Sequence, residues 1–538
     1  MSQTAASVRR YLWATGAGAI NTVLSLVLLR TGAGPHGNDI YYYALQTRAL
    51  ATTGELLFFD RSPVYRVLLW TNALIGDPLV SAQVLAALLG GVCAAGLTAL
   101  ALMPRAAEPQ PARRSGIALR LTVVAAALWN PAFFMLQLEF TKNLFALACM
   151  LVGLAIVAGR PVHTINRLSQ LLQLPFGLGM LVLAALSHRL VAAIVLAIAL
   201  HWVARIVVPR LSKRRGAFVT VVVAAALAAA AGLAFAWSRY HDRFDAIRLG
   251  ALFRRLRSIG EADLLPSDRL WYFGLSLLVP VGVPLVLLGH RQWRSAGGVF
   301  WLSAWACCVP VLSFDWDGLS FRLLLLAPLL LALGILWSDD FGPVPAVTQA
   351  ARASKQAAAS VEKASAPNRR RQIAAVALAL VALASLGEGL ARFATNKGPD
   401  YRAFAAVFAD LPAAAAGRRV VAHRGLAGYL WYELGIWAEN FAPTEQIERY
   451  DRLVYAFRPE LLQRYLPEGA DPGVLDRFVT RDYLLVPEPL WQAFSRDHRH
   501  LTLVQSELNP YQARPTTGFR INAATARALS PVSYPAPP

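Results

Sequence analysis

Long apolar runs constrain the fold of this chain more than any motif does. The 538 residues are 56% hydrophobic and only 16% charged, with a mean hydropathy of +0.44, which is too apolar for a soluble protein of this length. A membrane-spanning helix needs roughly 20 apolar residues. Runs of that kind predict an α-helical polytopic membrane protein with about eleven transmembrane helices, at residues 11–30, 79–103, 117–136, 140–159, two within 174–207 divided at 187–189, 216–237, 270–289, 297–313, 319–337 and 372–393.

The basic residues indicate which side of the membrane each loop occupies. The formal net charge is +20, but most of the arginines and lysines lie in short segments between apolar runs, which is how topology is encoded. This distribution excludes nucleic acid as the expected partner. The positive-inside rule places these segments in the cytoplasm: 9–10, 105–114, 160–167, 205–215, 291–294 and 355–371. The four cysteines all fall within apolar runs, so they form neither a metal-binding spacing nor a disulfide framework.

The predicted domains follow from these spans. Residues 1–337 form a multi-pass module with outer loops at 31–62 and 238–269. Residues 338–371 are rich in Ala, Ser, Lys and Pro and predict a flexible cytoplasmic linker. The last span, 372–393, then delivers residues 394–538 to the outside as a soluble α/β domain.

The C-terminal region has the composition of a soluble domain. The stretches at 418–423 and 482–488 predict short strands, and 400–411 predicts an amphipathic helix. The Tyr- and Trp-rich stretch 428–441 is suited either to stacking on sugar rings or to packing in a core or on the membrane, and we favour packing. The chain has no Walker loop, which argues against an ATP-driven transporter.

Ionisable residues at the outer ends of the spans are the candidates for a functional site. A charged side chain at membrane depth costs about 2.5–3.5 kcal/mol on insertion scales, so its presence indicates function. For a single position, a snorkelling or topology role is the alternative, but several residues on one side predict a shared polar cavity. The members of this set are His36, Asp39, Glu139, Lys142, His188, Arg189, Asp315, Asp317 and Arg322.

The outer segment 238–269 is unexpectedly basic. Its apolar residues recur at spacings of three and four, as in an amphipathic helix lying at a membrane interface with arginines toward phosphates. Arg254, Arg255 and Arg257 are therefore candidates for binding a lipid phosphate. Generic attachment to anionic headgroups is the alternative.

Four stretches resemble the integral-membrane glycosyltransferases of the GT-C superfamily, particularly the bacterial enzymes that use polyprenyl-phosphate sugars. "GNDIYYYALQTRALATTGEL" (37–56) is similar to the family's first outer loop, with an Asp followed by aromatics. "FFDRSPVYRVLLWTNALIG" (58–76) is similar to its juxtamembrane segment. "EFTKNLFALACMLVGLAI" (139–156) resembles the acidic second outer loop, and "FRLLLLAPLLLALGIL" (321–336) resembles a late span with an early arginine and an internal proline.

The resemblance implies transfer of a sugar from a polyprenyl-phosphate-linked donor to a lipid, glycan or protein acceptor on the outer face of the bacterial inner (cytoplasmic) membrane. Asp39 is then the expected base, and His36 and Glu139 assist it. Lys142, Arg189 and Arg322 are expected to meet the phosphate, together with the arginines of 238–269. Consecutive helical residues point about 100° apart, so Tyr41, Tyr42 and Tyr43 cannot all face the cavity. Tyr42 is expected to bind substrate, and one or two of the three are predicted interfacial anchors.

Two other functional classes remain open at this point. An O-antigen-type polymerase or ligase would also use arginines for a lipid carrier outside the membrane. A transporter of lipid-linked saccharides would place charges in an outer cavity but would be expected to show paired repeat halves. A non-enzymatic scaffold is a third alternative. Membrane lipids are expected partners, no cofactor is required, and participation of a divalent metal ion is left open.

Overall fold

The computed structural model describes residues 3–30, 39–57, 60, 62–103, 110–158, 167–188, 191–199, 300, 318–337 and 387, and in the C-terminal region 420–421, 424–435, 438–439, 452–453, 455–457, 479–480 and 483–486. Its helices are α1 (Gln3–Arg30), α2 (Ile40–Thr53), α3 (Val64–Ile75), α4 (Pro78–Ala101), α5 (Gln110–Leu128), α6 (Pro131–Glu139), α7 (Thr141–Ala158), α8 (Arg167–Ser187), α9 (Gly318–Trp337) and α10 (Arg424–Leu434). Residues 191–199 are also helical.

Three of the described helices are long and apolar enough to cross a bilayer, namely Val8–Leu29 within α1, the whole of α4 and the whole of α7. They confirm the spans predicted at 11–30, 79–103 and 140–159. The helix α9 occupies the position predicted at 319–337, and α8 ends at Ser187, where the long run 174–207 was expected to divide. The chain is therefore a multi-pass membrane protein. Apart from residues 300 and 387, the spans predicted at 216–237, 270–289, 297–313 and 372–393 fall outside the described residues.

The span predicted at 117–136 is not one continuous helix. Segments Arg120–Leu128 and Ala132–Leu138 are bent by 49° relative to each other. Asn130 explains the break, because its Oδ1 accepts the backbone N–H of Phe133 at 3.0 Å while its Nδ2 donates to the carbonyls of Ala126 and Ala127 at 2.9 and 2.7 Å. Its side chain thus caps the end of one helix and the start of the next. Pro131 supplies no backbone N–H to continue α5.

The chain divides into two compact units, each built from separated segments. The first contains residues 1–16, 93–133 and 146–387, and the second contains residues 17–92, 134–145 and 388–538. In the first unit α9 packs against α5, and Phe300 lies beside Trp337 with ring centroids 5.7 Å apart. In the second unit α2 packs against both α3 and α10.

Glycines of α4 allow close helix contact within the second unit. A Cβ at Gly91 would overlap the side chain of Thr22 and lie 2.6 Å from the carbonyl oxygen of Gly18, and a Cβ at Gly90 would overlap the amide of Gln137. Small residues are common at such contacts because they let helix backbones approach in lipid, where no hydrophobic force drives helices together. These glycines therefore set the distance between α4 and α1.

The described part of the C-terminal region contains α10 and six short strands. Strands β1 (Val420–Val421), β2 (Ala438–Glu439) and β3 (Arg452–Leu453) form a parallel sheet in the order β2-β1-β3. Strands β4 (Tyr455–Phe457), β5 (Val479–Thr480) and β6 (Tyr483–Val486) form an antiparallel sheet in the order β4-β6-β5. Strands β1 and β6 occupy the two predicted positions. The predicted helix 400–411, linker 338–371 and outer segment 238–269 lie outside the described residues.

Candidate functional site

The helix α2 begins at a buried carboxylate that does not cap it. Asp39 is 6% exposed and occupies the N-cap position, where its carbonyl oxygen accepts the backbone N–H of Tyr43 at 3.1 Å, but its side chain makes no capping hydrogen bond. Asp77 provides the contrast, because its Oδ1 accepts the N–H groups of Leu79 and Val80 at 2.7 and 3.1 Å at the start of α4. Helix capping explains the role of the Asp77 side chain. It does not account for burial of Asp39.

An ion pair joins the segment before α3 to the start of α7. The ammonium of Lys142 lies 2.9 Å from Oδ1 and 2.7 Å from Oδ2 of Asp60, and the backbone N–H of Ser62 also donates to Oδ1, at 2.9 Å. The side chains of Lys142 and Asp60 are 28% and 17% exposed. Both oxygens of Asp60 therefore accept hydrogen bonds from donors.

Two tyrosines extend this ion pair. The hydroxyl of Tyr65 lies 3.2 Å from Oδ2 of Asp60 and 3.1 Å from the hydroxyl of Tyr42. The side-chain amide of Gln46 donates to the Tyr42 hydroxyl at 3.3 Å. Burial, followed by the charges of Tyr42 and Asp60, raises the pKa of Tyr65 well above its usual value. Tyr65 therefore stays protonated. Because a carboxylate only accepts, we assign the Tyr65 proton to Asp60 and that of Tyr42 to the Tyr65 oxygen.

Tyr43 holds the backbone of Lys142. Its hydroxyl accepts the Lys142 backbone N–H at 3.2 Å, and its ring lies beside those of Tyr42 and Tyr65, with centroids 5.4 and 6.3 Å away. Lys142 is thus fixed through both its main chain and its side chain. Among the described residues Asp60 is the acceptor of its ammonium, which carries three N–H donors. One donor remains for a ligand.

Buried polar atoms occur in residues close in sequence to both members of the ion pair. Ser62 Oγ, Thr141 Oγ1 and Asn143 Nδ2 have no hydrogen-bond partner within the described part of the chain, and their residues are 6%, 1% and 3% exposed. Most buried polar side-chain atoms in proteins are hydrogen-bonded, and an exception indicates a bound water or ligand.

The structure brings together two of the predicted site residues, Tyr42 and Lys142. Asp39, Tyr42 and Lys142 lie in the second unit, where Tyr42 and Lys142 share the network of Asp60. Asp60 was not predicted. The available signal was a carboxylate closely preceding the proline of the juxtamembrane stretch 58–76.

The remaining candidates stay predictions. Glu139 is the last residue of α6 and Arg322 lies in α9. His188 follows α8 in the first unit, where its backbone N–H donates to the carbonyl of Ala184 at 3.3 Å. His36, Arg189, Arg254, Arg255, Arg257, Asp315 and Asp317 lie outside the described residues. Within the described ranges, no three His, Cys, Asp or Glu side chains form a group that could hold a metal ion.

Tyr41 points away from this network. It is 2% exposed and packs against α10, with its ring edge-on to Tyr429 at a centroid distance of 5.7 Å. An anchor at the lipid interface would present its ring to lipid, so Tyr41 is not one of the one or two tyrosines predicted as anchors. The rings of the stretch 428–441 that the structure describes are buried in packing, as we favoured.

No protein-family profile matches the chain, and no curated protein sequence matches it significantly. Among solved structures, the chain is similar to the crystal structure of ArnT from Cupriavidus metallidurans bound to undecaprenyl phosphate, with 15% sequence identity and a TM-score of 0.42. The match covers 89% of this chain and 97% of that one. Similarity of this degree carries no argument about the activity of this chain.

Proposed function

We propose that this chain is a membrane glycosyltransferase that moves a sugar from a polyprenyl-phosphate-linked donor to a lipid, glycan or protein acceptor outside the cytoplasm. One observation carries the proposal. A buried aspartate that does not cap its helix, Asp39, lies on the same helix face as Tyr42 and Tyr43, which lead to the partly exposed ammonium of Lys142. The transfer needs a carboxylate and a cation. Asp39 supplies the carboxylate on this face of α2, and Tyr43 on the same face contacts Lys142, which supplies the cation.

Asp39 is the proposed base. In the transfer, the bond between sugar C1 and the donor phosphate oxygen breaks, and a bond between C1 and the acceptor oxygen forms. The acceptor hydroxyl loses its proton to the carboxylate as C1 becomes electrophilic. Asp60 is unsuited to this role, because its oxygens already accept hydrogen bonds from Lys142, Ser62 and Tyr65. Glu139 and His36 are proposed to assist Asp39.

Lys142 is the proposed contact for the departing lipid phosphate. Negative charge accumulates on the phosphate as C1–O cleaves, and a preorganised donor at that point lowers the barrier. Asp60 and Tyr43 hold Lys142 in place, and its third N–H is proposed to donate to the phosphate. Arg189, Arg322 and the three arginines at 254, 255 and 257 are proposed as further phosphate contacts. His188, Asp315 and Asp317 are proposed to bind the sugar or acceptor.

The proposed location is the outer face of the bacterial cytoplasmic membrane. The alternation of basic segments along the sequence supports this orientation. With the basic segments in the cytoplasm, the loop that carries Asp39 and the residues after 394 share the opposite side. A lipid-linked donor that has been moved across the membrane would meet the site there.

The test is transfer by purified protein in lipid nanodiscs. The protein is incubated with a panel of polyprenyl-phosphate monosaccharides and polyprenyl-diphosphate oligosaccharides, together with outer-membrane glycolipid, cell-wall glycan and peptide acceptors, and released polyprenyl phosphate or diphosphate is measured. We expect release with one donor, dependent on an acceptor. Consumption only of diphosphate-linked oligosaccharides would assign the chain to the polymerase or ligase class instead. Consumption of no lipid-linked sugar would overturn the proposal.

A further inference from the structure

The helix α10 of the C-terminal region contacts two residues of α2, Tyr41 and Arg48, which are seven positions apart in the sequence. The guanidinium of Arg48 lies 3.7 Å from the ring centroid of Tyr432, and its Nη1 donates to the Tyr432 carbonyl oxygen at 2.6 Å. Tyr41 contacts the rings of Tyr429 and Tyr432 at centroid distances of 5.7 and 5.8 Å. A stacked, charge-assisted arginine contact fixes direction as well as distance.

These two residues lie on the face of α2 opposite the candidate site. At about 100° per residue, Arg48 is about 20° from Tyr41 around the helix axis, whereas Asp39 is about 160° from Tyr41. Tyr42 and Tyr43 lie about 60° and 40° to either side of Asp39. The helix therefore has one face that contacts α10 and one face that contacts the Asp60–Lys142 pair.

The contact leaves little space for movement. A Cβ added at Gly428 would lie 3.0 Å from the Cβ of Tyr41, which is closer than such atoms normally approach. Tyr41 and Tyr429 are each 2% exposed. Close packing of this kind allows only discrete arrangements of the helix.

We propose that α10 fixes the rotation of α2 and that Arg48, Tyr41 and Gly428 are positioning residues for Asp39, Tyr42 and Tyr43. The inference rests on the proposed function. A rotation of α2 by about 20° would move an atom about 6 Å from the helix axis by about 2 Å. Misplacement of a reacting group by about 1 Å can cost about 100-fold in rate.

The kinetic test compares four single variants in the transfer assay. Arg48→Ala is expected to lower kcat by about 10- to 100-fold while the donor KM stays within about twofold, because Asp60 still holds the Lys142 ammonium that is proposed to contact the phosphate. Arg48→Lys keeps the charge but not the planar stacking, and should be intermediate. Gly428→Val should resemble Arg48→Ala although Arg48 is retained. The matched control is Arg66→Ala, which removes an exposed arginine from α3 and should leave kcat unchanged.

Hydrogen exchange supplies a readout that does not depend on activity. In intact protein, Arg48→Ala and Gly428→Val should accelerate exchange of amides in 40–53 at least about tenfold, and Arg66→Ala should not. Unchanged exchange in 40–53 would overturn the inference, as would a wild-type kcat in variants that only melt at lower temperature. A wild-type protein that transfers no sugar would overturn the proposed function, and the exchange data would still decide whether α10 restrains α2.

Discussion

Lys142 Nζ lies 2.7 Å from one oxygen of Asp60 and 2.9 Å from the other, across 82 positions of sequence. The ammonium therefore contacts both oxygens of the carboxylate, and this ion pair connects the start of α7 to the segment before α3. The pair is partly exposed, so its contribution to stability is expected at about 1 kcal/mol rather than the larger value of a fully buried pair. Its main effect is to hold a cation beside the face of α2 that carries Asp39.

Replacing Asp39 by Asn should remove the proposed base. Asn keeps the size and part of the hydrogen bonding but cannot take the acceptor proton, so we expect turnover to fall by about 10²–10⁴-fold with donor binding retained. The measurements are turnover and thermal stability on the same preparation. Asp77→Asn is the matched control, because Asn caps a helix as well as Asp does. An active Asp39→Asn protein with slightly lower Tm would make Asp39 a helix-dipole charge.

Replacing Lys142 by Met should weaken donor binding. A hydrogen bond to a charged group contributes about 1.5–3 kcal/mol, which corresponds to an increase in donor KM of about 10- to 100-fold. Lys142→Arg keeps a cation beside Asp60 and should recover part of the affinity. The measurement is donor titration at saturating acceptor. An unchanged donor KM in Lys142→Met would restrict Lys142 to a structural ion pair with Asp60.

The stability of the protein should depend on Tyr65 at alkaline pH. An unfolded tyrosine loses its proton near its ordinary pKa of 10.0, whereas folded Tyr65 keeps its proton to higher pH because it is buried. Above about pH 10 the folded state therefore binds more protons than the unfolded state, so the stabilisation present below pH 10 is lost as pH rises.

The corresponding measurement is Tm from pH 8 to pH 11 for wild type and Tyr65→Phe. Phe keeps the ring contact with Tyr43 but removes the titrating hydroxyl, so the fall in Tm above about pH 10 should become shallower. At pH 8 the loss of the two hydrogen bonds of the Tyr65 hydroxyl should lower stability by about 1–3 kcal/mol. Tyr11→Phe, at a ring that is 44% exposed, is the control. Identical alkaline slopes in wild type and Tyr65→Phe would refute the assignment.

Thiol labelling tests the predicted orientation. A cysteine introduced at Tyr450 should react with a membrane-impermeant reagent in intact spheroplasts, and one at Ser360 should react only after permeabilisation. Wild-type protein controls for labelling of the four native cysteines. The reverse pattern would put Asp39 on the cytoplasmic side and remove the basis for the outer-face site.

The basic outer segment offers a separate prediction. Changing Arg254, Arg255 and Arg257 together to Gln should raise the donor KM, since guanidinium groups bind phosphate oxygens in pairs. The matched control changes the arginines at 369–371, in the predicted cytoplasmic linker, to Gln. If donor KM is the same in both and the first variant is only easier to extract from the membrane, these arginines serve headgroup attachment.

The spans could be predicted because an apolar run of sufficient length has few alternatives in a membrane protein. The bend at Asn130 was not predicted, because Asn and Pro lower the mean hydropathy of a window only slightly. Their effect is geometric, since one side chain caps two helix ends in both directions. Sequence periodicity gives the length and polarity of a segment, but it does not register a capping residue inside an apolar run.

Only some residues of the candidate site could be predicted, for a related reason. Helical spacing shows that Tyr41, Tyr42 and Tyr43 point in different directions, and the structure bears this out. Which neighbour each tyrosine meets depends on contacts far along the chain, such as Lys142 for Tyr43 and Tyr429 for Tyr41. Asp60 was missed for the same reason, because its partner Lys142 lies 82 positions away in the sequence.

The two opposed faces of α2 restrict how this segment can vary in length. Inserting or deleting one residue between Asp39 and Arg48 would turn one face relative to the other by about 100°, so that either the contact with α10 or the approach to Lys142 would be lost. Substitutions on the helix can be tolerated one at a time, but changes of length cannot. Related sequences that keep this arrangement should therefore carry no gap between the aspartate and the arginine, even where the surrounding loop differs in length.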